Sequence, residues 1–379
     1  MATSSHLRRI NERKIIQTML RLRNASRTKL AEVAGMSQAT VGRIVDDMIA
    51  QSVIAEVAMD EDSVPAAGRP LGRPIKVLEL DRKRRRFLLV QLGVRQTRLA
   101  AMPVAAPEVD KWPVEFATPS SAEKWIKSLR RNCNRLPLSN IEAVVMSCPG
   151  VVDERSGKVL LSPNMRWSEK IDFPAALRTV VEKPAIFVQE IRALALGQLS
   201  AEPHLEDFLL VDFGDGVGAA TVVGSQLQSG HIPLSGELGH TPVLNNSRRC
   251  GCGAIGCIET LVSSVGLLKS FDEHSGQRGW KTLIGHVKHH GLPHWLKASL
   301  DAVATTVAGA LNVEGIASVL LTGTLTEFPE IVKEYLSAEI RRGAMWNRLG
   351  TVTCRTAPRR RMAGMISAGI DRALFANDE

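Results

Sequence analysis

The sequence lacks any apolar run near the roughly 20 residues that a membrane span requires, so a helical membrane protein is excluded. It also lacks a secretory signal: residues 1–5 are small and polar, and the stretch after them is charged and helix-like rather than an apolar h-region. A cytoplasmic protein with no membrane partner is the expectation. A disulfide framework is missing as well. Of the six cysteines, Cys133, Cys148 and Cys354 are scattered, while Cys250, Cys252 and Cys257 fall within eight residues. In a reducing cytosol such a cluster points to a metal site.

What is present is the composition of a soluble globular protein, with 44% hydrophobic and 23% charged residues in a chain of 379. That length exceeds what one ordinary core organises, so two or three folding units are expected. The formal charge of +9 is unevenly spread. Residues 1–86 hold seventeen Lys or Arg against ten Asp or Glu, leaving +7 in under a quarter of the chain. Such a segment attracts polyanions, although a solvated basic face would have the same composition.

Within that segment Ile15, Ile16, Met19 and Leu20 recur at helical spacing and predict a first helix over residues 11–23. Ser26 is placed to cap a second helix that turns Leu30, Ala31, Val33 and Ala34 inward and ends at Gly35. Ser37 is placed to cap a third, with Val41, Ile44 and Met48 buried and Gln38, Ala39, Thr40 and Arg43 projecting outward. Helix, Gly-containing turn, helix is the helix-turn-helix pattern. The third helix would lay Ser37, Gln38, Ala39, Thr40 and Arg43 along a major groove, where amide and guanidinium groups read base edges and a methyl meets thymine. A plain three-helix bundle has the same spacing. Two short strands follow, over residues 53–59 and 75–80, and the loop between them carries Gly68-Arg69-Pro70 and Gly72-Arg73-Pro74. Stiff, Pro-flanked Arg69 and Arg73 suit a wing inserted into a narrow minor groove; a flexible basic linker is the alternative.

The strongest pattern runs from Gly236-Glu237-Leu238-Gly239-His240 to Cys250-Gly251-Cys252, Cys257 and Glu259. One imidazole and three thiolates, His240, Cys250, Cys252 and Cys257, complete a tetrahedral set for zinc, and the intervening glycines let the chain turn tightly enough for the sulfurs to converge. Four protein ligands leave no open position, so the reading is a structural zinc.

With these residues the chain resembles the ROK group of bacterial repressors, open reading frames and sugar kinases, over nearly its whole length. The resemblance implies an α/β, two-lobed, actin-like fold of the sugar-kinase type behind an N-terminal winged helix-turn-helix. It also implies a ligand cleft between the lobes and a homodimer or homotetramer. By the same resemblance Glu237 and Glu259 accept hydrogen bonds from sugar hydroxyls, and His240 contacts both sugar and metal. Pro149-Gly150-Val151-Val152-Asp153 resembles the turn at the cleft floor. Ser162-Pro163-Asn164-Met165-Arg166-Trp167 resembles a segment bordering the sugar, which makes Asn164 a candidate contact.

The kinase pattern then fails. Where the family's kinases place an Asn-Asp pair before an Ala-rich helix, this chain has Gln189-Glu190. Each has gained a methylene, and in-line transfer tolerates misplacement of only about 1 Å before losing on the order of a hundredfold. Gln189 and Glu190 remain candidate ligand contacts. The first phosphate turn reads Gln91-Leu92-Gly93-Val94-Arg95-Gln96-Thr97, with an amide for the magnesium-holding acid. In the second, Asp212-Phe213-Gly214-Asp215-Gly216-Val217-Gly218, Asp215 stands where a phosphate-binding Thr is usual and is expected to repel nucleotide.

The sequence therefore predicts a reading head over residues 1–81 and a sensor over residues 82–379 with its zinc loop at 240–257. Together they would form a transcriptional regulator of carbohydrate genes, most simply a repressor. It would bind a double-stranded DNA operator and a sugar or sugar-derived effector, with no catalytic residue. An active ROK sugar kinase with an accessory DNA-binding domain is the alternative reading, and control by a protein partner is a third.

Overall fold

The amino-terminal unit opens on α1 (Ser4–Leu22), followed by β1 (Asn24–Ala25), α2 (Arg27–Ala34), α3 (Gln38–Ala50), β2 (Ile54–Ala58) and β3 (Lys76–Leu80). The structure is a computed structural model describing residues 4–58, 76–202, 204–229 and 234–374. Both predicted caps form: Ser26 Oγ accepts from Lys29 N and Ser37 Oγ from Thr40 N, each at 3.1 Å. Gly35 closes α2 in the left-handed region at φ 60.

Three expectations change here. Helix α1 starts several residues before the apolar periodicity does, its first turns tied by Arg8 to Glu12 and to Asp47, both at 2.8 Å. Val33 is exposed, not buried. Leu30, Ala31 and Ala34 share one face of α2, and Val33 sits about 100° round the helix from it. The strands β2 and β3 pair antiparallel from Ile54 with Leu80 to Ala58 with Lys76, and the two-residue β1 adds a third strand against β3, too short to read from sequence. Arg69 and Arg73 lie outside the described residues.

The next unit carries β4 (Phe87–Leu92), β5 (Gln96–Met102), β6 (Val114–Ala117), α4 (Ala122–Cys133), β7 (Ala143–Cys148), β8 (Val151–Asp153), β9 (Lys158–Leu161), α5 (Phe173–Arg178), β10 (Ala185–Gln189) and α6 (Glu190–Ala201). The last carries β11 (Phe208–Phe213), β12 (Val217–Val223), β13 (Gln226–Leu227), α7 (Glu259–Val262), α8 (Ser264–Ser275), α9 (Trp280–His290), α10 (His294–Glu314), β14 (Ser318–Gly323), α11 (Glu330–Gly343), β15 (Thr353–Thr356) and α12 (Arg361–Gly369). Their sheets have the same plan. In β6-β5-β4-β7-β10 and in β13-β12-β11-β14-β15, an antiparallel meander is extended by two parallel strands. Both faces of each sheet are covered, which is why the strands read as continuous apolar runs. In β4, Phe87 and Leu89 enter one core while Leu88, Val90 and Leu92 enter another.

Two helices join the lobes. Ile191, Leu194 and Ala195 of α6 pack on Phe208, Leu210 and Ala220 of the second sheet, whereas Met362, Met365 and Ile366 of α12 pack with Phe87, Leu89, Val145 and Val188 of the first. Where they cross, the backbones touch: a Cβ on Gly364 would lie 1.7 Å from the Ala193 carbonyl oxygen, and one on Gly197 would lie 2.0 Å from that of Arg360. Ile15, Ile16 and Met19 of α1 join the same core as Ala193 of α6 and the α12 residues, so the head is seated on the joint between the lobes. No helix among the described residues is long and apolar enough to cross a membrane.

Candidate functional site

The Cys-His loop is built from short bridges, Pro242 with Cys257 and Arg249 with Ile255, and a turn in which Cys250 N donates to Ala254 O at 2.8 Å. Gly253 and Gly256 take φ of 103 and 86, a conformation that side chains resist, and this brings the cysteines together. Arg248 ties the loop to its surroundings, donating to Thr260 O at 2.8 Å and to Ser270 Oγ at 2.9 Å.

The ligand atoms of His240, Cys250, Cys252 and Cys257 all lie within 4.8 Å of one another. Cys252 Sγ is 3.7 Å from Cys257 Sγ, and Cys250 Sγ is 3.6 Å from His240 Nδ1. A tetrahedral zinc with Zn–S near 2.3 Å needs S···S edges of about 3.8 Å, so the donor set fits that ion. Burial pushes the Cys250 thiol up and the Cys257 thiol up to about 12, a cost that a bound divalent cation would offset.

Beside this loop a cavity of about 510 Å³ opens between the lobes, and all six candidate contacts, Asn164, Gln189, Glu190, Glu237, His240 and Glu259, line it. Glu237 accepts from Gln189 Nε2 at 3.1 Å, and its other oxygen is 3.6 Å from His240 Nε2. His240 thus turns one ring nitrogen to the cysteines and the other to Glu237. Glu259 begins α7 and accepts from Val217 N at 2.9 Å. Burial pushes both carboxyls above the usual range, against the pull of His240 on each. Each carboxylate has acceptor capacity left for ligand hydroxyls. Asn164 Nδ2 donates to Asp215 O at 3.4 Å, which aims its amide along the cavity.

Three further carboxylates that line the cavity are held in ion pairs. Arg361 Nε is 2.7 Å from Glu190 Oε1, so the residue at the catalytic-base position is already engaged. Arg359 grips Asp212 with both Nε, at 2.6 Å, and an Nη, at 2.9 Å, while Thr322 Oγ1 adds a third donor at 2.7 Å. Burial works to raise the Asp212 carboxyl, yet Arg359 outweighs it and holds the group below the usual carboxylate range. The Arg359 guanidinium lies over Gly214 and Gly323, within 2.8 Å and 2.6 Å of where their Cβ atoms would be. Arg95, from the turn after β4, meets Asp215, from the turn after β11, at 2.9 Å across the cleft. Asp215 thus has an arginine partner, itself 63% exposed, that the sequence did not show. The position of the missing magnesium acid, Gln91, is buried and accepts from Arg98 at 3.0 Å.

Sequence reasoning missed Arg95, Arg359 and Arg361 as site residues. The run Arg359-Arg360-Arg361 directly before an Ala- and Gly-rich helix was the available signal.

In the head, Ser37, Gln38, Ala39 and Arg43 are exposed and Thr40 is half-buried, so the outer face at the start of α3 is open. The acids behind it are paired, Asp46 with Arg27 at 2.7 Å and Asp47 with Arg8.

A two-lobed fold with this cleft and Cys-His loop is that of a known class. The ROK family pattern matches residues 90–370, and the chain belongs to the ROK family. It is 22% identical over 349 residues to the xylose repressor of Bacillus subtilis strain 168, covering 90% of this chain and 88% of the relative. The solved structure of a ROK family transcriptional regulator, a homologue of the Escherichia coli MLC protein, is similar in fold at TM-score 0.72 and 17% identity, with 98% and 97% of the two chains covered. A ROK glucokinase from Streptomyces griseus, solved with glucose and AMPPNP, gives TM-score 0.58 at 19% identity and covers 74% of this chain and 97% of its own.

Proposed function

We propose that the chain is a DNA-binding transcriptional repressor of carbohydrate genes whose ROK cleft binds a sugar or sugar-derived effector and performs no phosphoryl transfer. The repressor name of its relative across nine-tenths of the chain supports this. The observation that carries it is the difference among the cavity's carboxylates. Glu237 and Glu259 keep acceptor capacity, while Glu190, Asp212 and Asp215 are each bound to an arginine. Phosphoryl transfer needs a free base and free metal-holding acids.

In this reading residues 1–81 form the head and residues 82–379 the sensor. Gln38, Ala39 and Arg43 contact base edges or phosphates, Ser37 and Thr40 fix the start of the reading helix, and Arg69 and Arg73 enter the minor groove. Zinc at His240, Cys250, Cys252 and Cys257 is structural. It holds His240 and Glu259, and His240 orients Glu237, as outer groups orient metal ligands elsewhere. A homodimer or homotetramer in the cytoplasm would present two heads to a two-half-site operator. Operator affinity with and without a panel of sugars tests the reading. An affinity that no sugar changes would leave a constitutive DNA binder.

The likeness in fold to a glucokinase favours one second reading, a sugar kinase with an accessory head. Sugar-dependent ATP consumption by the purified chain would establish it; the three ion pairs argue for none.

A further inference from the structure

The helices that begin at the cleft, α6 at Glu190 and α12 at Arg361, cross between the lobes: α6 starts directly after β10 of the first sheet, and α12 follows Arg359, which is bound to Asp212 of the second. Helix α6 lies on the second sheet and α12 on the first. They meet backbone to backbone at Gly197 and Gly364, with no side chain between them. Such a contact serves as a pivot, because it permits rotation but leaves no room for approach. At the cleft end of the same interface the Glu190–Arg361 ion pair ties the two helices together, its side chains 19% and 13% exposed. The start of α12 is fixed on the other side by Asp110, which accepts from the backbone N of Arg361 at 2.8 Å and of Met362 at 3.1 Å.

Helix α1 of the head straddles this joint. From the middle of α1, Arg13 Nε is 2.6 Å from Asp371 Oδ1, just beyond α12. Past its carboxy-terminal end Arg23 lies 3.4 Å from Glu108, whose backbone oxygen accepts from Arg360 at 2.6 Å. Between these ties Ile15, Ile16 and Met19 are fully buried in one core with Ala193 of α6 and Met362, Met365 and Ile366 of α12. A rotation of α6 against α12 therefore changes the floor on which α1 rests, and α3 is carried with it.

We propose that the Glu190–Arg361 ion pair is a latch across the lobe joint: its state sets the angle between α6 and α12, and α1 passes that angle to the DNA-reading helix. A hydroxylated guest that takes Glu190 as its acceptor opens the latch, because the carboxylate cannot keep its full bond to Arg361 while serving the ligand. The ion pair thus converts occupancy of the cleft into a posture of the head. This deepens the sensing role proposed above and rests on it for the identity of the trigger, but not for the mechanical link.

The test uses the full-length zinc-loaded chain and a DNA duplex selected by the wild-type protein from a random-sequence pool. Arg361→Met removes the latch without a sugar, and its affinity for that duplex should differ from wild type by about fivefold or more, the lower range of ordinary allosteric couplings. A second variant, Arg13→Ala, changes a residue that does not line the cavity. It should leave the Kd for D-xylose, D-glucose or N-acetyl-D-glucosamine, whichever shifts the wild type, within about twofold, while reducing the effect of that sugar on DNA affinity.

Wild-type DNA affinity and a full sugar response in Arg361→Met, with zinc content and Tm unchanged, would overturn the latch and leave sugar sensing intact. A shifted affinity in Arg361→Met beside a wild type that no sugar affects would uphold the link and remove the sensing role instead.

Discussion

The carboxylates of the interlobe cavity fall into two groups of nearly the same residue types with opposite surroundings. Beside the Cys-His loop, Glu237 and Glu259 are half-buried, pushed up by that burial and met by single neutral donors plus one imidazole. Glu190, Asp212 and Asp215 each have a guanidinium of their own. A carboxylate with spare lone pairs in a partly dry site can receive hydroxyls. One bound to arginine has to loosen that partner first, so the difference teaches how carboxylates of one cleft are graded in their readiness to take a guest.

The comparison can be broken hardest at the metal. Cys257→Ser should abolish the four-ligand set, bring zinc content by elemental analysis toward zero and unseat α7 with Glu259. Retained stoichiometric zinc with an unchanged sugar response would contradict the role given to the loop. Among the arginine-bound carboxylates, Asp212→Asn leaves Arg359 uncompensated and should cost about 2–3 kcal/mol at pH 7, below the figure for a fully buried pair because both side chains are partly exposed. Since the folded pKa of Asp212 lies below its unfolded value, its contribution is fully present above about pH 3.9 and is lost as pH falls through the folded value. The stability gap between wild type and Asp212→Asn, followed by urea unfolding, should therefore close in acid and persist at neutral pH.

Beside the Cys-His loop, Glu259→Gln replaces a charged acceptor by a neutral amide. It should weaken sugar binding by about tenfold, read by calorimetry, in keeping with hydrogen bonds to charged groups, while Tm moves little. The smallest effect is expected at Arg95→Ala. This arginine is 63% exposed, so the loss should stay within about 1 kcal/mol, measured by denaturant unfolding.

Much of this was legible in the sequence because its signals are local. The caps at Ser26 and Ser37, the stripe of Val41, Ile44 and Met48, and the Cys250-Gly251-Cys252 turn depend on neighbours within a few residues. Glu237 and Glu259 were singled out as candidate acceptors only through the resemblance to ROK proteins. The arginine ties were not, because Arg359 meets Asp212 across 147 positions and Arg361 meets Glu190 across 171. A carboxylate in a phosphate turn looks free until the fold supplies its partner. Val33 failed for a different reason: hydrophobicity marks what is able to be buried, and the eight residues of α2 offer one narrow face to the core. The wing arginines Arg69 and Arg73 fall outside the described residues.

The central claim is that a guest held by the zinc-pinned acceptors alters the hold of the head on DNA. Titration of a fluorescent operator duplex with the full-length chain, repeated over a panel of free and phosphorylated sugars, tests it directly. The account expects at least one sugar to change the Kd by about fivefold or more. An unchanged Kd across the panel, with the chain folded and zinc bound, would contradict it.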